Sequence, residues 1–285
     1  MRRKTRYGLA ATLLLCIAGI SAVRGSLETK LVFPGSSSQG LAGALLPPNP
    51  DYELIPLQTS DGTRIVAEFG NALGNGGKKD ANASHAPTVI FFYGNGACAA
   101  SMAVEFWRFR QMGVNIIMPD YPGYGMSGGR PSEKGFYAAA DAVYDYVAQR
   151  PGIDRDRIAV VGWSMGGAVA IDLACRRKVV ALETISAFTS LPAVAHTVAP
   201  WLPVKWILRS RFDNLAKIHS ITCPILVAHG TLDQIVPPAM AAQLAAAAQG
   251  GVRALMIEGA GHNDVFDVGG GPLWAAMRAQ IFAAR

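Results

Sequence analysis

Residues 157–166 read Arg157-Ile158-Ala159-Val160-Val161-Gly162-Trp163-Ser164-Met165-Gly166, and this stretch decides how the rest of the chain is read. Its β-branched first half predicts a buried strand. The residues that follow, Gly167-Ala168-Val169-Ala170-Ile171-Asp172-Leu173-Ala174, are small or helix-compatible. Ser164 therefore falls in a sharp strand-to-helix turn. Glycine at both ends of the pentapeptide accepts strained torsions and lets strand and helix approach closely. Such a turn lifts the serine hydroxyl out of the sheet. It also places the Met165 N–H at a helix N-terminus, aimed at any oxyanion that forms there. G-x-S-x-G alone is a common match; a strand before it and a helix after it are the context a nucleophile requires.

A serine nucleophile needs a base, and the base needs an orienting acid. Cys223-Pro224-Ile225-Leu226-Val227-Ala228-His229-Gly230 predicts another buried strand ending in a turn, with Asp233 three residues beyond the glycine. A helical stretch follows from Pro238 to Gln249. The strand Ala254-Leu255-Met256-Ile257-Glu258 then leads into Gly259-Ala260-Gly261-His262-Asn263-Asp264. Asp233 and His262 both fall just past strand ends, where open α/β sheets build their sites. The order Ser164, Asp233, His262 is the one used by hydrolases with a serine at a strand-to-helix elbow. His229, inside a strand pattern, reads as a buried hydrogen-bonded residue rather than the base. His85 lies in a polar loop, and His196 and His219 lie between the nucleophile and the acid. Asp264 and Asp267 sit too close in sequence to His262 to serve as its acid across two strand ends, and Asp213 is a weaker competitor.

The remaining pattern is scaffold. Tyr52–Leu57 and Thr63–Phe69 alternate like antiparallel strands around the turn Ser60-Asp61-Gly62. Residues 70–87, rich in Gly, Asn, Lys and Ala, predict an exposed loop. Thr88–Phe92 and Val114–Met118 predict buried strands flanking a helix, residues 134–149 a further helix, and Leu273–Ala284 a terminal one. Arg176-Arg177-Lys178 close the elbow helix, where cations suit the helix dipole. No repeat and no second domain is visible.

These motifs resemble the α/β-hydrolase superfamily, and most closely its single-domain serine-aminopeptidase-like (S33-type) branch of exported or membrane-tethered serine hydrolases. The resemblance spans roughly residues 30–285 and rests on Phe91-Phe92-Tyr93-Gly94-Asn95-Gly96, on Pro119-Asp120-Tyr121-Pro122-Gly123-Tyr124-Gly125-Met126-Ser127-Gly128, on the Ser164 elbow, on His229-Gly230-Thr231-Leu232-Asp233 and on Gly259–Asp264. It implies an α/β fold with a mostly parallel, doubly wound sheet and helices on both faces. It also implies that the Asn95 N–H is the second oxyanion donor beside that of Met165, with Gly96 one position away as the alternative. Family members carry His-Gly where this chain has Tyr93-Gly94, a substitution at a structural position.

The same loop supports a rival. Gly94-Asn95-Gly96-Ala97-Cys98-Ala99 follows a strand and fits G-x-G-x-x-A, and Asp120 ends the next strand, imitating a dinucleotide fingerprint. Against it, the motif does not open the fold, Asp120 is embedded in a Pro- and Gly-rich turn, and nothing in that reading uses Ser164, Asp233 or His262. Ser at the elbow also argues against a dehalogenase, which would need Asp there. No His or carboxylate cluster has metal-ligand spacing, so no cofactor or metal is expected.

Residues 187–220 hold Trp201, Trp206 and several prolines, and read either as a short apolar cap that selects an acyl or other small-molecule substrate or as an ordinary packed connection. The expected activity is cleavage of a carboxylic ester or related acyl bond. A thioesterase, a peptidase or a non-catalytic binding protein on the same fold are the alternatives.

Of 285 residues, 51% are hydrophobic and 16% charged, ample for a buried parallel sheet in one unit. Net charge is +6, but Arg2, Arg3, Lys4 and Arg6 account for four of it. With no basic helix face elsewhere, nucleic acid is not an expected partner. Those four cations precede an apolar run from Leu9 to Val23. Residues 1–25 therefore read as an export signal, cleaved after Ala22 or Gly25, or as an uncleaved membrane anchor, with residues 26–285 as the catalytic domain. Cys16 lacks the small-residue context of a lipid attachment site. Cys98, Cys175 and Cys223 allow at most one disulfide, and Cys175 and Cys223 read as small buried hydrophobes.

Overall fold

The computed structural model describes residues 25, 27–74, 77–80, 82–201 and 203–283, with the backbone alone at 205 and 206. Residues 1–25, read from the sequence as an export signal or membrane anchor, lie outside them except for Gly25. Eight strands form one sheet: β1 (Glu53–Gln58), β2 (Arg64–Gly70), β3 (Thr88–Phe92), β4 (Asn115–Pro119), β5 (Ile158–Trp163), β6 (Ala181–Ile185), β7 (Ile225–Gly230) and β8 (Val252–Ile257). Their spatial order is β1-β2-β4-β3-β5-β6-β7-β8. β2 runs antiparallel to both of its neighbours, and every other pairing is parallel. β3, β4, β6 and β7 are buried along their whole length, as strands covered on both faces must be, whereas edge strands β1 and β8 keep exposed positions.

Helices α1 (Ala103–Gln111), α2 (Glu133–Gln149), α3 (Met165–Arg176), α4 (Leu191–Val198), α5 (Val204–Ile207), α6 (Leu215–Ile218), α7 (Ala239–Ala247) and α8 (Val265–Ala283) flank the sheet. α3 is buried from Met165 through Leu173, which explains its Gly-Gly-Ala-Val-Ala composition: bulkier residues would not fit between β5 and its neighbours. Its cationic end is held to α2 by Arg176 on Asp141 and by Arg177 on Asp141 and Asp145, while Arg176 also pairs with Asp172 one turn back on α3. The two arginines thus serve helix packing, and Lys178 pairs with Asp156 in the turn before β5.

The chain leaves β3 for β4 on one side and returns to β5 on the other, so the winding reverses between β3 and β5. A crevice opens at the carboxyl ends of strands where such a reversal occurs. The residues that follow β3 and β5 are Tyr93-Gly94-Asn95 and Ser164.

Three expectations change. The sequence reading passes from the elbow helix to Ala187 without a strand, yet Ala181–Ile185 forms the fully buried β6; Glu183 and Thr184 interrupt its apolar run and hide it. The terminal helix begins at Val265 and breaks at Gly270, whose φ of 41° no other residue adopts at ease, with Pro272 restarting it. The 70–87 loop is not wholly exposed: Ala72 and Leu73 are buried, and Asn115 Oδ1 accepts the Ala72 N–H at 2.9 Å.

An aromatic cluster ties the periphery to the core. Tyr121 stacks on Phe136 at 4.0 Å, and Tyr124, Phe33 and Phe212 pack edge-on to Phe136. Phe33 belongs to the N-terminal segment and Phe212 to residues 187–220, so one ring of α2 anchors both. Burial of each ring contributes about 2–3 kcal/mol.

Candidate active site

Ser164 caps α3 with φ 53° and ψ −117°, a conformation that costs a non-glycine residue about 1–3 kcal/mol. Two close approaches hold it there. A Cβ on Gly162 would lie 2.2 Å from Gly166 O, and one on Gly166 would lie 1.9 Å from Phe92 O. Both positions therefore exclude every residue but glycine, and the second presses the elbow against the end of β3. Gly94 completes the contact, since a Cβ there would lie 3.3 Å from Ser164 Cβ.

The three residues singled out from the sequence meet at this point. Ser164 Oγ lies 2.8 Å from His262 Nε2, and His262 Nδ1 lies 2.7 Å from Asp233 Oδ2. Asp233 is 5% exposed and His262 8%. An acid so buried needs donors, and the turn after β7 supplies them: Asp233 Oδ1 accepts the N–H groups of Ile235 at 2.9 Å and Val236 at 2.8 Å. Burial alone would raise the Asp233 carboxyl. Hydrogen bonds from His229, His262 and the Val236 N–H overcome it and hold the group well below the usual carboxylate range. With Nδ1 donating to a carboxylate, His262 presents an unprotonated Nε2 to the serine, the tautomer a general base requires.

Met165 is the first residue of α3, so its N–H is one of the helix's free donors, next to the Ser164 hydroxyl. The Asn95 side chain is occupied at both ends: Nδ2 donates to Val32 O, and Oδ1 accepts from Tyr124 OH at 2.7 Å. This fixes the loop whose backbone carries the second candidate donor. The N-terminal segment also holds the 187–220 segment. Glu28 Oε1 accepts the N–H groups of Arg209 at 2.8 Å and Ser210 at 2.7 Å, in the 187–220 segment. That segment forms α4, α5 and α6, and its Trp201 is 80% exposed.

The competing candidates are committed elsewhere. Asp264 Oδ1 caps Gly261 N–H at 2.7 Å, Asp267 is an exposed partner of Arg108, and Asp213 faces Ala216 N–H. His85 pairs with Ser84. Asp120 is fully buried and accepts from Tyr93 OH, Ala99 N–H and Met126 N–H, so it braces the 93–99 loop. Tyr93, at the position where the resemblance leads one to expect His, has a structural task of its own. Among the described residues no group of three His, Cys, Asp or Glu side chains could hold a metal ion.

Sequence reasoning missed the contributions of four residues. Trp163 Nε1 donates to His262 O at 3.3 Å and ties the His262 loop to the elbow. Glu28 and Val32 enter from a region that reads as featureless. His229, expected to be buried and hydrogen-bonded, lies 3.1 Å from Asp233 Oδ2, a partner that the sequence does not name. Cys98, Cys175 and Cys223 are free. Contrary to expectation the latter two are half-buried, with Cys175 Sγ 2.9 Å from Ser220 Oγ, and burial raises the Cys223 thiol to about 11.

Comparison with known proteins agrees with the geometry. A model of the alpha/beta hydrolase family matches residues 94–213. The chain is 32% identical over 266 residues to an uncharacterised protein of Mycobacterium tuberculosis strain H37Rv, covering 93% of this chain and 90% of the relative. It is 34% identical over 214 residues to alpha/beta hydrolase domain-containing protein 17B of Xenopus tropicalis, covering 75% and 70%. Among solved structures, an esterase of Pyrococcus furiosus superposes with a TM-score of 0.66 at 18% identity, over 82% of this chain and 92% of the other. The sheet order, the elbow at its switch point and these relatives together show that the chain belongs to the α/β hydrolase family.

Proposed function

We propose that this protein is a serine hydrolase that cleaves a carboxylic ester or related acyl bond, with Ser164 as nucleophile, His262 as general base and then acid, and Asp233 as the orienting acid. The observation that carries the reading is the unbroken hydrogen-bonded line from Ser164 Oγ through His262 to Asp233, at 2.8 Å and 2.7 Å. In this mechanism His262 takes the hydroxyl proton as Ser164 attacks the carbonyl carbon. The Met165 and Asn95 N–H groups stabilise the oxyanion, each worth about 3 kcal/mol. His262 then protonates the leaving group, Asp233 stabilises the imidazolium, and water releases the acyl-enzyme by the same route reversed. No step calls on a metal or cofactor. The 187–220 segment, with its exposed Trp201, acts as a short cap for an acyl or other small substrate. Within the family, the resemblance of its motifs favours the serine-aminopeptidase-like branch. The cationic and apolar residues 1–25 act as an export signal or membrane anchor. No described helix is long and apolar enough to cross a membrane.

The test is hydrolysis of p-nitrophenyl acetate, butyrate and octanoate by the full chain, beside a thioester and an anilide of the best acyl group. Ser164→Ala and His262→Ala each lower kcat by about 10⁴-fold or more, and a fluorophosphonate labels wild type but not Ser164→Ala. Full labelling of Ser164→Ala, or its undiminished turnover, would remove the triad assignment and favour a binding role.

A further inference from the structure

We propose that His229 is a positioning residue for this reaction: its Nε2–H holds the Asp233 carboxylate from beneath, in the orientation that meets His262. The inference rests on the triad reading above.

His229 is fully buried near the end of β7, in a strand whose other buried positions are Ile225, Leu226, Val227 and Ala228. Its Nε2 lies 3.0 Å from Val236 O and 3.1 Å from Asp233 Oδ2. A carbonyl oxygen can only accept, so Nε2 carries the proton, and that one N–H serves both acceptors. The other ring nitrogen, Nδ1, is buried with no partner, and a proton there would have no acceptor. A side chain at this position chosen for packing alone would be apolar like its neighbours. This one tolerates an orphaned nitrogen to deliver a single N–H to the turn that carries Asp233.

The consequence is a carboxylate with four donors. Oδ1 takes Ile235 and Val236 N–H, and Oδ2 takes His262 Nδ1–H and His229 Nε2–H. Rotation about Cβ–Cγ would break all four at once. The His229 bond also draws charge from the oxygen that faces His262, so Asp233 orients the imidazole without becoming basic enough to take its proton. The ionisable groups around this point come from three elements: His229 on β7, Asp233 on the turn beyond it, and His262 with Asp264 on the loop after β8. Asp264 is occupied by Gly261 N–H.

The experiment compares full-length wild type, His229→Phe, His229→Gln and Ser164→Ala with p-nitrophenyl butyrate from pH 5 to 9, with urea unfolding of each. Ser164→Ala separates the two readings: if it keeps turnover, the triad reading falls; if it is inactive, the His229 variants bear on this inference alone. His229→Phe is expected to lower kcat by about 10–100-fold, the scale on which partners of a catalytic group act, with KM changed less than about threefold. Its acid limb of kcat/KM moves to higher pH by about half a unit, because a carboxylate stripped of one donor favours the protonated base. The far-downfield proton of the His262–Asp233 hydrogen bond shifts in the same variant, independently of turnover. His229→Gln keeps an N–H within reach of both acceptors and restores the rate to within about fivefold and the limb to its wild-type position. His229→Met, apolar and flexible, repeats the measurement if the phenylalanine does not fold. A folded donor-free variant with wild-type kcat and acid limb overturns the proposal, as does a His229→Gln as impaired as His229→Phe.

Discussion

Asp233 and Glu183 are both buried acids, one just beyond a strand end and one within a strand, and they sit in opposite surroundings. Asp233 lies in the turn beyond β7, where the backbone has left the ladder and its N–H groups are free to point at a side chain. Two of them do, and His229 and His262 add two more. Glu183 lies in the middle of β6, in register with Val161 on one side and Leu226 on the other. There every backbone N–H is spent on the ladder, and neither carboxyl oxygen meets a donor among the described residues. Asp233 is accordingly held well below its ordinary range and Glu183 pushed well above it by burial. What separates them is the supply of donors, which in a parallel sheet exists at strand ends and not at strand centres.

Asp233→Asn breaks the comparison at its functional end and has the largest expected effect. The amide keeps the Oδ1 contacts to Ile235 and Val236 and preserves the fold. It cannot hold His262 in the tautomer that leaves Nε2 free, so kcat falls by about 10⁴-fold. Steady-state kinetics with circular dichroism checks this; a well-folded variant within tenfold of wild type would show that another acid serves the base.

The same contrast explains what could be read from the sequence. Ser164, Asp233 and His262 each follow an apolar run that announces a strand, so their meeting at the carboxyl end of the sheet was legible from local pattern alone. β6 was not, because Glu183 erases its apolar signature, and only pairing with β5 and β7 shows that the strand exists. The break at Gly270 hides within a Gly-Gly-Gly-Pro run compatible with either a loop or a helix start. The hold of Val32 on Asn95, of Glu28 on Arg209 and Ser210, and of His229 on Asp233 joins residues by folded geometry, with no periodicity to betray it.

Glu183→Met tests the other end. If the carboxyl is a buried, partnerless group, an apolar side chain of similar length stabilises the protein by about 2 kcal/mol near neutral pH. The sign with pH follows from the raised carboxyl: the folded state keeps its proton where the unfolded state, near 4.5, has lost it. The wild type therefore loses stability as pH rises from that point, and the variant loses less because this carboxyl's share is gone. Urea unfolding at pH 5 and pH 8 reads both quantities. Destabilisation by the substitution at both pH values would mean that Glu183 has a partner after all.

Glu68 is the intermediate case and the smallest effect. It is buried in β2 with Oε2 unpartnered. Burial raises its carboxyl, the neighbouring Asp120 charge raises it further, and the Arg110 guanidinium offsets part of both, leaving it at about 8. Its stabilising contribution is complete below its ordinary 4.5 and disappears as pH rises toward 8. Glu68→Gln keeps the shape and cannot ionise. The variant should match wild type at pH 5 and exceed it at pH 8.5 by about 1–2 kcal/mol, less than Glu183→Met because a cation already stands nearby. Thermal unfolding at the two pH values measures that gap. If the gap does not widen, Glu68 is charged in the folded protein at neutral pH, and a nearby guanidinium can then replace the hydrogen-bond donors that keep Asp233 ionised.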